Sequence, residues 1–190
     1  YYQAYVTANT DRIPTVYVAA NDGMLHAFRV QAEGTALAGS ERWAYVPQLL
    51  LPNLVKLANS PYTHLYTVDG TPTVGDVCFG HTNTIPCSQS SQWRTILVAG
   101  LNAGSRGYYA LDITDPNNPK GLWEFGVSAT CLTDNDANPS SPDAATGSSD
   151  CHVGLSFGNP IITKRASDGR WVVIVSSGYN NDKRSEEHTS

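Results

Sequence analysis

Three observations predict an all-β fold, specifically a partial β-propeller of four-stranded antiparallel blades with one short inserted helix. Short β-branched and aromatic runs dominate the chain, Gly, Asn and Pro punctuate them, and the order strand, turn, strand, loop, strand recurs along the sequence. The 190 residues are 41% hydrophobic and 15% charged, the balance of a globular domain with one sizeable core. The longest apolar runs, such as Ile96-Leu97-Val98-Ala99, suit a buried strand and fall well short of the roughly 18 to 20 residues a membrane-spanning helix needs.

The opening Tyr/Val/Thr-rich segment at Tyr1 reads as strand-like. Thr15-Val16-Tyr17-Val18-Ala19 alternates across a sheet, Asn21-Asp22-Gly23 supplies a tight turn, and Met24-Leu25-His26-Ala27-Phe28 returns as a second strand. Trp43-Ala44-Tyr45-Val46 follows as a third, ending at Pro47. Leu50, Leu54 and Leu57 then recur at helical spacing within 49–58, with Pro52 near the first turn, and predict a short helix whose apolar stripe packs on the sheets. The grammar repeats in Trp93-Arg94-Thr95-Ile96-Leu97-Val98-Ala99-Gly100, Tyr108-Tyr109-Ala110-Leu111-Asp112-Ile113, the turn Asp115-Pro116-Asn117-Asn118-Pro119, and Leu122-Trp123-Glu124-Phe125. A third copy begins at Trp171-Val172-Val173-Ile174-Val175-Ser176-Ser177-Gly178.

Gly70-Thr71-Pro72-Thr73-Val74 and Gly158-Asn159-Pro160-Ile161-Ile162 each open a strand expected to pair with the Trp-led one that follows. Blades usually occupy about 40 to 50 residues. The longer interval from Trp93 to Trp171 is accounted for by a polar surface loop over 129–150. Trp43, Trp93, Trp123 and Trp171 are expected at equivalent strand positions, packed between blades. Asp69, Asp76 and Asp112 are expected to bond turn amides, and Gly100, Gly104 and Gly107 to permit turns with positive φ. Residues 1–183 read as one domain fragment whose true N-terminus and export signal lie upstream. The tail 184–190 resembles the translation of a sequencing-library adapter.

A net charge of −5 with scattered Lys and Arg argues against nucleic-acid binding. Cys78, Cys87, Cys131 and Cys151 form no CxxC and lack a histidine at zinc spacing, so disulfides explain them better and imply an oxidising compartment. Local pairing of Cys78 with Cys87 and of Cys131 with Cys151 is one of three connectivities. Asp134, Asp136 and Asn138 open like a calcium loop, but Pro139 stands where glycine is needed and Ala145 where a bidentate Glu belongs. No metal site is assigned on them.

Gly154-Leu155-Ser156-Phe157-Gly158 fits the nucleophile-elbow pattern, yet Asn159-Pro160 leads into a strand-like stretch instead of a helix. His26, His64, His81, His152 and His188 show no metal-binding spacing, and His26 reads as a satisfied buried histidine on a strand face with Met24 and Phe28. No catalytic, cofactor-binding or metal residue is assigned, and the chain is expected to be no enzyme.

Five segments in order resemble the PilC/PilY family of type IV pilus tip-associated proteins: Ala20 to Phe28, Val68 to Val77, Trp93 to Val98, Arg106 to Ile113, and Ser156 to Pro160. The resemblance implies the C-terminal β-propeller of a surface or fimbrium-tip protein that supports pilus assembly, the balance of extension and retraction, adhesion and twitching motility. It implies pilus machinery and minor pilins as partners, with a host-cell or surface ligand besides. Its calcium site is expected downstream of Gly178-Tyr179-Asn180. No Arg-Gly-Asp tripeptide is present, so an integrin-binding role is not carried over. The quinoprotein-like repeat leaves a pyrroloquinoline quinone-type dehydrogenase as the rival reading, against which the lack of adjacent cysteines counts. A generic protein- or glycan-binding scaffold is the third.

Overall fold

The computed structural model describes residues 1–59, 63–127 and 153–179. Three antiparallel sheets follow one another along the chain: β1 (Thr15–Ala20), β2 (Met24–Arg29) and β3 (Glu41–Tyr45); then β4 (Thr73–Cys78), β5 (Trp93–Gly100), β6 (Gly107–Asp112) and β7 (Lys120–Gly126); then β8 (Ile161–Lys164) and β9 (Trp171–Ile174). The second sheet has the four strands the repeat predicts. Among the described residues the first has three and the third two.

The repeat extends to irregularities. Between β2 and β3 the register slips at Ala27/Phe28, with Ala27 opposite Trp43. Between β6 and β7 it slips at Ala110/Leu111, with Ala110 opposite Trp123. A bulge at the same place in both sheets makes β1–β3 the counterparts of β5–β7. Likewise β4 pairs with β5 as β8 pairs with β9, each Trp-led strand meeting the Gly/Pro-opened one.

Every residue of β5 from Thr95 to Gly100 is buried because the second sheet is covered on both faces. Leu97, Ala99, Leu101, Tyr109 and Leu111 point to the first sheet, where Leu25, Tyr17 and Trp43 receive them. Val77, Ile96, Val98 and Ala110 point the other way, to Ile162, Trp171 and Val173. Burial on both faces turns an alternating strand into a continuous apolar run, which is why Ile96 to Ala99 carries no polar residue.

The chain opens as a helix, α1 (Tyr2–Ala8), where a strand was expected. Tyr2, Tyr5 and Val6 fall at helical spacing, and Tyr2 and Tyr5 lay their rings beside Trp93, with centroids 4.4 and 6.5 Å away. Packing on that indole outweighs the weak β preference of Tyr, Val and Thr. Leu51–Leu54 forms α2, extended by 3-10 turns over Gln48–Leu50 and Val55–Ala58, with Pro52 in the first turn as predicted. Leu50 is fully buried, and Leu54 and Leu57 lie against the turn at Gly23, so the stripe packs on the first hairpin.

Other expectations need correction. Gly100, Gly104 and Gly107 do not have positive φ. They are sites of close backbone approach: a methyl on Gly104 would overlap the Thr67 carbonyl, and one on Gly100 would meet the Ser156 carbonyl. Trp43 and Trp123 form one equivalent pair and Trp93 and Trp171 another, instead of a single set of four. Trp93 and Trp171 meet edge-on between the sheets, with centroids 6.0 Å apart, whereas Trp123 is 39% exposed. Of the three aspartates, Asp112 accepts a turn amide, from Thr114, as expected. Asp76 accepts instead from the Tyr2 and Thr95 hydroxyls, and Asp69 is held through its carbonyl by Asn102 Nδ2.

Candidate functional site

A cleft of about 1010 Å³ lies between the second and third sheets. It arises because β8–β9 cover β4, β5 and β6 of their neighbour and leave β7 largely open, so Tyr108, Trp123 and Phe125 form one wall and Trp171 and Val173 another. These walls are hydrocarbon and aromatic. Their chemistry suits packing against a protein surface or strand.

The third wall is the loop between β4 and β5, which contributes Phe79, His81 and Ile85. Cys78 and Cys87 close it with a disulfide, their Cα atoms 6.4 Å apart. The loop turns on itself through reciprocal backbone bonds of Thr82 and Ile85, then reaches the β8–β9 turn. Asn83 N–H donates to the Asp168 carbonyl at 2.6 Å, Asn83 Nδ2 to Ser167 O at 3.3 Å, and His81 Nδ1 to Gly169 O at 3.0 Å. Cys131 and Cys151, like Asp134, Asp136 and Asn138, lie outside the described residues.

Opposite this cleft, the seam between the first two sheets is bolted by polar groups. Glu124 on β7 takes three donors, the Tyr45 hydroxyl at 2.6 Å and the Gln48 and Leu49 amides at 2.7 and 2.9 Å. Burial and this carboxylate together push the Tyr45 phenol well above its ordinary range. Trp43 Nε1 donates to Pro116 O at 2.9 Å, seating the turn after β6 on the first sheet. That turn is held internally by Asp115, whose carboxyl is kept below its usual range by the Asn118 side chain and the Asn117 amide.

Ser156, the central residue of the nucleophile-elbow pattern, is held in structural hydrogen bonds. It is fully buried, donates to Gly107 O at 2.7 Å and accepts from Leu101 N–H at 2.8 Å, so its hydroxyl is used in joining the third unit to the second. His26 lies on the open face of the first sheet, while Leu25 and Ala27 take the core side. His26 is half-buried instead of fully buried, and its hydrogen bonding is satisfied, through Glu41 Oε1 on Nδ1 and Asp22 Oδ2 on Nε2. These carboxylates flank opposite ring edges and do not converge on one point. Among the described residues no group of three or more His, Cys, Asp or Glu side chains is arranged to hold a metal ion.

Sequence reasoning missed His81, Asn83 and Glu124. Their partners lie 75 to 88 residues away, and no local pattern announces such a contact.

A family model described as the PilY1 beta-propeller domain matches residues 1–189. The type IV pilus biogenesis factor PilY1 of Pseudomonas aeruginosa strain PAO1 is 36% identical over 187 residues, covering 96% of this chain and 13% of that protein. A PilY1 homolog of Xylella fastidiosa strain Temecula1 is 33% identical over 179 residues, covering 94% of this chain and 12% of that protein. The crystal structure of the Pseudomonas aeruginosa PilY1 C-terminal domain superposes with a TM-score of 0.62 at 32% identity, over 95% of this chain and 28% of that one. The chain thus spans a small part of the curated relatives it matches.

Proposed function

The chain belongs to the PilY1 β-propeller family, and on that premise we propose that it forms part of the propeller of an extracytoplasmic type IV pilus biogenesis factor. The match of a single family model along residues 1–189, joined to 36% identity with a named biogenesis factor, is the observation that carries this reading. The work proposed for it is non-enzymatic: support of fibre assembly and of the balance between extension and retraction, with surface attachment and twitching motility as the outcome. Pilus machinery and minor pilins are the proposed partners, a host-cell or surface ligand a further one, and calcium would be held downstream of Gly178-Tyr179-Asn180.

Features of the structure support the proposal. The Cys78–Cys87 bridge suits a protein kept in the periplasm, on the cell surface or at the fimbrium tip, since cytosolic thiols stay reduced. No helix among the described residues is long and apolar enough to cross a membrane. The apolar cleft and the hydrogen-bonded Ser156 favour a scaffold over a catalyst.

Shearing the cell surface and probing the fractions for the full-length protein tests the assignment. It should be found with sheared pili and in the cell envelope; confinement to the cytoplasm would overturn the proposal.

A further inference from the structure

We infer that the disulfide-closed loop between β4 and β5 is a redox-released latch that fastens the second sheet to the β8–β9 turn. The loop buries little of its own, with Phe79 49% and Ile85 56% exposed, so a hydrophobic seat does not hold it in place. Its fixed shape comes from the Cys78–Cys87 closure and from the internal turn at Thr82 and Ile85. That shape presents His81 and Asn83 to three consecutive carbonyls, Ser167, Asp168 and Gly169. The receiving turn is fitted to it: Gly169 is buried with φ +74°, and a methyl there would collide with Asn83. Since Phe79, His81 and Ile85 also wall the cleft, the latch and the cleft move together.

The bridge is poised for directional attack. Cys78 is buried, whereas Cys87 is partly exposed. A thiolate of a dithiol therefore attacks Cys87 Sγ. The S–S bond breaks, its electron pair leaves on Cys78 Sγ, and that sulfur takes a proton. The second thiol of the reductant then displaces Cys87 and closes the reductant into a cyclic disulfide, so two electrons and two protons pass to the protein. The β4–β5 ladder, paired from Thr73/Val98 to Cys78/Trp93, does not depend on the bridge and stays formed. What is lost is the loop's shape, with its bonds to the β8–β9 turn, and one wall of the cleft opens.

Hydrogen exchange read by mass spectrometry on the full-length protein, with and without dithiothreitol, tests the latch, with thiol titration confirming reduction. The peptide covering 79–87 should exchange at least about tenfold faster after reduction, while peptides covering β5 and β6 keep their protection. In oxidised protein, Gly169→Ala should speed exchange in 79–87 comparably by displacing Asn83. Unchanged exchange in 79–87 after full reduction would overturn the inference. So would an equal rise in β5, which would mean that the bridge holds the sheet itself.

Discussion

Glu41 Oε1 lies 2.6 Å from His26 Nδ1 and Asp22 Oδ2 2.9 Å from Nε2, an arrangement that an imidazolium satisfies with two donors and a neutral ring with one. The Glu41 bond, then the Asp22 bond and charge, raise the His26 pKa above its ordinary value against the opposing effect of desolvation. Because the folded pKa is the higher, the stability this clamp contributes is complete below the unfolded value of about 6.5 and is lost as pH rises through the folded pKa. Titration of the His26 ring by NMR should show the raised pKa, and Glu41→Gln should bring it down; an unchanged value in that variant would show that Glu41 is not the main cause. Glycines give a second contrast. Gly104→Ala, forced onto the Thr67 carbonyl, should destabilise the full-length domain by about 1–3 kcal/mol. Gly121→Ala, with open space around its Cβ position, should stay within about 0.5 kcal/mol of the parent in the same urea titration. The sequence showed that glycines cluster between β5 and β6 but not that they serve close approach, since the Thr67 and Ser156 carbonyls come from remote segments.

Glu124 shows how elements are joined. One carboxylate on β7 ends the row of β3 through Tyr45 and satisfies the first free amides of the turn leading into α2, which otherwise lack partners. Glu124→Ala should therefore cost about 1–3 kcal/mol and raise hydrogen exchange at Gln48 and Leu49 first. A loss spread evenly over all three sheets would contradict that local role. Hairpins were the most legible elements: Asn21-Asp22-Gly23 gives the turn, with Gly23 at φ +98° and Asp22 Oδ1 accepting the Met24 amide. The short helix was legible from its leucines. The opening helix α1 was not, because its helical state depends on Trp93, which no reading of residues 1–8 contains.

Three sheets stacked face to face place the most apolar strands in the middle, which is what radial repetition requires of each blade between two neighbours. The outer faces keep exposed apolar side chains: Val16 and Val18 share the open face of the first sheet with His26 and are 49% and 42% exposed, and Trp123 and Phe125 line the open side of the second. Such faces are surfaces prepared for contact. The architecture was legible because the period is written in Trp, Gly and Pro positions, and the five ordered segments identified the family before any coordinate did. The cleft was not legible, because it depends on how far one sheet overlaps another. Counting surface pili on cells from which the full-length gene has been deleted tests the central claim most directly. The account predicts that surface pili fall well below the parent and return on complementation; a normal complement of pili in the deletion strain would contradict it.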